Sequence, residues 1–229
     1  YLKKKFKCPS YLILRDHFPD WAVDIGLMSK GPHYWFFKAI ESYQFYVADV
    51  IGVQSEGNIS HVKFWEKNNL RKVEVLNNWM SDKKNIGCSI DINKTKLSGR
   101  KIFLYAGNMG VAQNPEVFIE LAIKFKNNQN IGFLFVGRGE FTKEIRNSIE
   151  EYKLDNCEIF PEIKYDEIPG LYSQCHVGML SLNFNHKSHN IPGKFISYIE
   201  SGLPILAIVN KNNDLIKIIK ENHIGEVIT

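Results

Sequence analysis

Short apolar runs alternate with amphipathic segments from Lys101 to Ile208, and this rhythm limits the possible folds more than any other feature of the sequence. The runs predict five strands at 102–106, 133–136, 157–160, 177–180 and 204–208. The segments between them have helical spacing, and the first has Asn114 as its expected N-cap and Pro115 at its first helical position. This alternation predicts an α/β domain with a doubly wound, Rossmann-like parallel sheet.

Glycines stand at the ends of several of these runs. They are Gly107, Gly110, Gly137, Gly139 and Gly193, and Lys194 follows the last of them. In an open parallel sheet the carboxyl ends of the strands face the ligand crevice, and helix N-termini there bind anions. The glycines therefore predict a crevice for a nucleotide-type ligand whose phosphates approach the backbone closely.

The residues before 82 predict part of another domain of the same kind. Strands are expected at 11–14, 50–53 and 72–76, and helices at 33–48 and 58–67. Between 82 and 100 the chain is polar and has no apolar period. We place the junction there and predict domains at 1–85 and 86–229.

The predicted helix at 33–48 carries an aromatic stripe. Trp35, Phe36, Ala39, Ile40, Tyr43 and Val47 recur at helical spacing. A stripe of this kind is typical of a core-facing side, so most of it is expected to be buried. Because Trp35, Phe36 and Phe37 are adjacent, a helix cannot bury all three on one side. One or two of them are therefore candidates for contact with a lipid-linked molecule or a bilayer interface.

Composition excludes several classes of function. A formal net charge of +4 is too small to indicate nucleic-acid binding. The four cysteines form no C-x-x-C pair and predict no disulfide framework, so a cytoplasmic location is the default expectation. Cys157 and Cys175 stand in apolar runs and are expected in the core. No apolar stretch approaches the ~20 residues of a membrane-spanning helix.

Familiar catalytic and cofactor motifs are absent from the sequence. Gly137-Arg138-Gly139 lacks the third glycine of a dinucleotide fingerprint, because Thr142 stands there, and this disfavours an NAD-dependent enzyme. The sequence contains no H-E-x-x-H motif of zinc proteases, no G-x-S-x-G motif of α/β-hydrolases and no clustered Cys/His metal set. An Asp-x-Asp pair is absent too, so we expect no metal and no cofactor. A sugar nucleotide would then be held by backbone N–H groups, helix N-termini and basic side chains.

Three stretches, G-N-M-G-V-A-Q-N-P-E, F-V-G-R-G-E and I-P-G-K-F-I-S-Y-I-E-S-G-L-P-I, resemble in order the donor-binding half of family 4 glycosyltransferases, which have the GT-B fold. The earlier stretches R-D-H-F-P-D-W-A-V-D-I-G, A-D-V-I-G-V-Q-S-E-G-N and V-L-N-N-W resemble the end of the acceptor-side domain. The likeness is greatest to the bacterial branch that builds O-antigen, capsule and colanic-acid-like polysaccharides, including fucosyl- and fucosamine-type transferases. It implies that the chain lacks parts of the family's length at both ends.

The resemblance also implies how a donor diphosphate would be held. Family members commonly grip it with an Arg and a Lys at positions that here read Asn108 and Gln113. The phosphates would instead rest on the backbone of Gly107–Gly110, with Lys194 supplying positive charge and Arg138 as a second cation. The donor-binding candidates that this resemblance implies are Gly107, Asn108, Met109, Gly110, Gly137, Arg138, Pro192, Gly193 and Lys194.

Two glutamates eight residues apart hold the donor sugar and the ribose in many members of the family. The corresponding positions here read His189 and Ser197, and Glu200 stands three residues beyond the second. We interpret this as a variant of the site and keep His189 and Ser197 as donor-binding candidates. His186 lies in the same polar loop, where surface histidines are common.

On the acceptor side, the family's His-Asp-x-x-Pro reads Arg15-Asp16-His17-Phe18-Pro19. Asp16 keeps its position and Arg15 replaces the histidine, so these two are the catalytic candidates. An arginine stays charged and cannot be a general base, but it could stabilise a departing phosphate. Strand alternation predicts that His17 points to the opposite side.

Each candidate also has a purely structural alternative. Lys194 could be a solvated lysine at a helix start, Asn108 a turn residue, Arg138 an exposed turn cation and Asp16 a helix cap. The sequence leaves these alternatives open.

The resemblance implies a retaining glycosyltransferase. It would move a sugar from a nucleoside diphosphate, UDP being the first expectation, to a lipid-linked oligosaccharide at the inner face of a bacterial plasma membrane. The expected partners are therefore a nucleotide-sugar, that acceptor and, peripherally, the membrane. The alternative is a GT-B nucleotide-binding protein without transferase activity, such as an inactive partner subunit or a relative of sugar-nucleotide 2-epimerases.

Overall fold

The structure is a computed structural model that describes residues 2–67, 71–81 and 84–229. Its first elements are α1 Leu2–Phe6, β1 Tyr11–Leu14, α2 Asp20–Asp24, α3 Pro32–Val47, β2 Val50–Val53, α4 Ile59–Lys67 and β3 Lys72–Val75. They are followed by β4 Lys101–Asn108, α5 Val117–Lys124, β5 Ile131–Arg138, α6 Thr142–Glu151, β6 Cys157–Phe160, α7 Ile168–Tyr172, β7 Val177–Ser181, α8 Gly193–Glu200, β8 Ile205–Ile208, α9 Asp214–Glu221 and β9 Gly225–Ile228.

The chain divides into two units. The first comprises 1–78, 185–191 and 210–217, and the second comprises 79–184, 192–209 and 218–229. This division differs from the predicted ranges 1–85 and 86–229, because two short segments far along the chain belong to the first unit. Hydrogen bonds explain their placement: Asn58 binds the backbone of His189, and the N–H of Gly57 donates to Asp214.

The first unit contains a three-stranded parallel sheet in the order β1-β2-β3. Its core joins Phe45 of α3, Ile51 and Val53 of β2, and Val62 of α4. These strands lie within a residue of their predicted bounds, since short apolar runs flanked by polar residues identify them locally.

The predicted core stripe of α3 is wrong. Trp35 and Tyr43 are 63% and 68% exposed, and the buried residues of the helix are Tyr34, Glu41 and Phe45. Apolar and aromatic residues occur on more than one side of this helix, so helical spacing alone does not show which side meets the sheet.

The second unit contains a six-stranded, fully parallel sheet in the order β6-β5-β4-β7-β8-β9. Its core packs the side chains of β4 and β5 against α5 and α6. Cys157 is fully buried within it, and Cys175 is also buried, as expected. The sixth strand, β9, was not predicted, because its alternating sequence G-E-V-I carries little apolar signal.

The helix after β4 begins at Val117 rather than at Pro115. Asn114 has a positive φ of 45° and is not an N-cap, which corrects the prediction. Its N–H and that of Gln113 both donate to the carbonyl of Gly110, so this segment forms a closed turn before the helix. In the described part of the chain no helix is both long enough and apolar enough to span a bilayer.

Candidate functional site

The strand order of the second sheet reverses between β4 and β7. From β4 the sheet grows through β5 and β6 on one side and through β7, β8 and β9 on the other. In open α/β sheets, ligands bind outside the carboxyl ends of the strands beside such a reversal. Gly107, near the carboxyl end of β4, therefore marks the expected site.

A cavity of about 380 Å³ follows the carboxyl ends of β4 and β5. Gly107, Asn108 and Gly137 form its backbone wall, and Ile163 and Leu171 contribute apolar surface. This mixture of exposed backbone and apolar side chains suits a flat ring carrying phosphates. We call this cavity the crevice.

Lys194, the second residue of α8, lies beside Gly107. Its Nζ is 3.4 Å from the centroid of the Tyr105 ring, and a Cβ added to Gly107 would lie 3.8 Å from it. This nitrogen is buried and has no hydrogen-bond partner among the residues that the structure describes. Burial lowers the pKa of Lys194 well below its ordinary value. The residue is therefore not the solvated lysine of the structural alternative.

The start of α8 has no side-chain cap. Pro192 is its N-cap residue and has an extended backbone, while Gly193 is exposed with open space around it. Because the first N–H groups of a helix lack partners within the helix, an uncapped start favours an anion. This helix start and the Lys194 amine are adjacent in the chain.

Tyr198 fixes α8 against the sheet. Its buried hydroxyl accepts a hydrogen bond from the N–H of Ala106 at 3.0 Å. It also lies 3.2 Å and 3.3 Å from the carbonyl oxygens of Leu104 and Met179, to either of which it can donate. Tyr198 thus anchors the helix that carries Lys194.

The turn after β4 is neutral and internally bonded. The Asn108 amide nitrogen donates to the Gln113 side-chain oxygen at 3.0 Å, so the two residues at the family's cation positions satisfy each other. A side chain at Gly110 would press on both amides. Met109, predicted to offer its N–H to phosphate, instead donates to the Arg138 carbonyl and buries its side chain in the core.

Arg138 and Ser197 both have partners within the second unit. The Arg138 guanidinium lies 3.3 Å from each carboxylate oxygen of Glu162 across exposed surface beside the crevice. The hydroxyl of Ser197 donates toward the Met80 sulfur at 3.1 Å and the Gly193 carbonyl at 3.4 Å. Arg138 is thus a paired cation, and exposed pairs of this kind are weak enough to open.

At two of the predicted donor-binding positions, backbone packing alone explains why the residue is glycine. Gly137 has a φ of 153°, and a Cβ there would overlap the Gly107 carbonyl oxygen. A Cβ at Gly139 would meet the backbone of Met109. These glycines let the ends of β4 and β5 approach each other, whereas a Cβ at Gly193 would meet open space and one at Gly107 would lie against the Lys194 side chain.

In the first unit, Arg15 and Asp16 are exposed in the loop after β1, and His17 is buried. The ring of His17 stacks on His61 with a centroid distance of 4.2 Å. Burial, followed by the neighbouring His61, lowers the pKa of His17 to about 3. Sequence spacing gave no signal for this pair, because α4 brings His61 to it from another part of the chain.

The segment 185–191 adds two further histidines to the first unit. His186 stacks on Trp21, and burial lowers its pKa while Asp24 and Asp16 act in the opposite direction. Asp16 therefore lies within electrostatic reach of His186, a neighbour that the sequence did not predict.

The backbone of His189 is clamped by Asn58 through hydrogen bonds of 2.9 Å and 3.0 Å. Its Nδ1 lies 2.9 Å from a carboxylate oxygen of Asp214, and Gly57 leaves room for its ring. These contacts are within the first unit, and the donor-binding role of His189 stays a prediction.

Comparison with known protein families identifies the family to which the chain belongs. Residues 89–229, more than half of the chain, match the model of the glycosyl transferases group 1 family. The chain belongs to this family. The family and the GT-B fold class expected from the sequence are thereby confirmed at the level of the group. Among the described residues of this group 1 member, no set of three or more His, Cys, Asp and Glu side chains could hold a metal ion.

Curated relatives of this group 1 chain include bacterial glycosyltransferases. It is 24% identical over 222 residues to WbjE of Pseudomonas aeruginosa, named as a probable glycosyltransferase, covering 93% of this chain and 54% of WbjE. It is 34% identical over 80 residues to WcaI of Escherichia coli K12, whose name assigns it to colanic acid biosynthesis, covering 34% of this chain and 19% of WcaI. The chain thus spans about half the length of WbjE.

Solved structures support the fold of this group 1 member. The structure of Alr3699/HepE from Anabaena in complex with UDP and glucose matches with a TM-score of 0.62 at 15% identity, covering 99% of this chain and 59% of that one. The similarity supports a Rossmann-like GT-B architecture with parallel sheets.

Proposed function

We propose that the crevice of the second unit binds a nucleoside-diphosphate sugar, UDP-linked in the first instance, for a glycosyltransferase reaction. One observation carries the proposal: the unpaired, buried amine of Lys194 stands beside Gly107 at the uncapped start of α8. A diphosphate supplies the acceptors and negative charge that this arrangement lacks. The complex of HepE with UDP and glucose supports the choice of nucleotide.

The proposed reaction retains the configuration of the sugar. The bond from the anomeric carbon to the diphosphate oxygen breaks, and an acceptor hydroxyl forms a bond to that carbon from the same face. The hydroxyl proton passes to the departing phosphate oxygen and from there to solvent, and the negative charge released by the broken bond stays on the diphosphate. Lys194 and the start of α8 stabilise this charge, as positioned donors do in other active sites. We propose that no metal takes part.

On the acceptor side, we assign Asp16 and Arg15 to the acceptor hydroxyl and the departing phosphate. A donor-binding role for His189 is part of the same proposal, and its Nδ1 is engaged by Asp214. The proposed acceptor is a lipid-linked oligosaccharide of bacterial O-antigen or capsule synthesis, and a fucosyl- or fucosamine-type donor is part of the same proposal. The relation to WcaI, named for colanic acid biosynthesis, supports it.

Thermal unfolding with UDP, GDP and uridine tests the donor site. A ligand present at a hundred times its Kd should stabilise the protein by about 2.7 kcal/mol. We expect UDP to raise Tm, uridine to do so much less, and Lys194→Met to lose most of the UDP effect. Lys101→Met is the matched control, because Lys101 is exposed at the opposite end of β4. Equal Tm values with and without each nucleotide would contradict the proposal.

The neutral pair of Asn108 and Gln113 favours one alternative, a nucleotide-binding partner without transferase activity. The full-length protein should be incubated with UDP-sugars and membranes containing lipid-linked acceptors, and release of UDP measured. Acceptor-dependent release supports a transferase. Nucleotide binding without any release supports the alternative.

A further inference from the structure

The Lys194 amine lies in surroundings that do not suit a positive charge. Its Nζ is buried and unpaired within the described residues. It lies 3.4 Å from the centroid of the Tyr105 ring, and a Cβ added to Gly107 would lie 3.8 Å from it. A ring face attracts a cation, but less strongly than burial of an unpaired ammonium opposes it.

Among the described residues, no neighbouring charge contributes to the pKa of this amine. Tyr105 of β4 contacts it through its ring. The hydroxyl of Tyr105 donates to the Asn108 carbonyl, and burial raises its pKa, so that it stays uncharged. Tyr198 of α8 is likewise buried, with a raised pKa. Beyond Asn108, the charged residues that line the crevice are Arg138 and Glu162, which pair with each other. Burial is accordingly the cause of the lowered pKa of Lys194.

We propose that Lys194 is an uncharged amine in the ligand-free chain and takes up one proton from solvent when a nucleoside diphosphate binds beside Gly107. The inference rests on the proposed donor site and concerns how that site becomes charged. The diphosphate supplies the counter-charge and hydrogen-bond acceptors that the protein lacks, so the ammonium becomes stable only in the complex. No covalent bond changes; the proton comes from water or buffer and stays on Nζ.

Proton uptake makes binding depend on pH. Binding and protonation promote each other by the same factor, because the two equilibria are linked. Above the pKa of the empty-state amine, the affinity should fall by up to about tenfold for each pH unit until the pKa in the complex is reached. Uridine, which carries no phosphate, should bind without this dependence.

Calorimetric titration of the chain with UDP tests the inference. The binding enthalpy is measured at pH 8 in buffers with different enthalpies of ionisation, and its slope against buffer enthalpy counts the protons taken up. At pH 8 the UDP phosphates are already ionised. We expect close to one proton for the wild type and for the Lys101→Met control, and close to zero for Lys194→Arg, whose guanidinium is always charged.

The possible results separate the two proposals. If UDP binds without proton uptake, this inference is wrong and the proposed donor site is unaffected. Equal proton uptake by the wild type and Lys194→Arg has the same two consequences. Failure of the wild type to bind either UDP or GDP overturns both. If Lys194→Arg binds too weakly to measure, wild-type affinity from pH 7 to pH 9 decides: a steady fall supports the inference, and a flat profile refutes it.

Discussion

Lowering the pH from 7 to 5 should destabilise the first unit through His17. Its pKa is about 3 in the folded chain, against an ordinary value of 6.5, because burial and the stacked His61 disfavour the charged form. Between these two values the unfolded chain binds more protons than the folded chain. The stability is therefore fully present above pH 6.5 and is lost as the pH falls toward 3.

The expected magnitude follows from the shift. At pH 5 the unfolded histidine is mostly protonated and the folded one is not, which costs about 2 kcal/mol of unfolding free energy. His61 and His186, whose pKa values burial also lowers, act in the same direction. Most carboxylates remain ionised at pH 5, so the histidines dominate this interval.

Urea unfolding at pH 7 and pH 5, followed by tryptophan fluorescence, measures the effect. Trp21, Trp35 and Trp65, three of the four tryptophans, belong to the first unit. His17→Gln should be less stable than the wild type at pH 7 but should lose about 2 kcal/mol less on acidification. His33→Gln, at an exposed position, should keep the wild-type loss. Equal losses in the wild type and His17→Gln would refute the reasoning.

Two further substitutions test how Tyr198 packs against the sheet and how Gly57 packs against the His189 ring. Tyr198→Phe leaves the part-buried backbone N–H of Ala106 without its acceptor and should cost about 1–3 kcal/mol in denaturant unfolding. Tyr152→Phe, at an exposed position, should cost little, and equal costs would count against the anchoring role of Tyr198. Gly57→Ala places a methyl group in the His189 ring and should cost about 1–3 kcal/mol, whereas Gly31→Ala meets open space and should be nearly neutral. An unchanged His189 imidazole signal in NMR spectra of Gly57→Ala would contradict the close approach of residue 57 to that ring.

Local signals predicted most of the secondary structure. β1, β2 and β6 have the predicted bounds, because each is an apolar run flanked by polar residues. The same signal failed for β9, an edge strand whose residues are only partly buried. It also failed at Asn114, because a turn closed on the Gly110 carbonyl replaces the expected helix start.

The candidate site was predictable only in part. The sequence placed Gly107 and Lys194 near one crevice because the carboxyl ends of parallel strands share one edge of a sheet. It assigned the Met109 amide to phosphate, although the fold uses that amide to bond the Arg138 carbonyl. Strand alternation set His17 apart from Asp16, but its stacking on His61 depends on how α4 packs.

The sequence by itself determined the order of most strands and helices, though not β9, and the family, since apolar period, turn residues and motif order are properties of neighbouring residues. Tertiary structure alone decided which side of α3 is buried, that 185–191 joins the first unit, and that the Lys194 amine is buried on Tyr105 without a partner. These outcomes depend on contacts between residues far apart in the chain, and no local pattern records them.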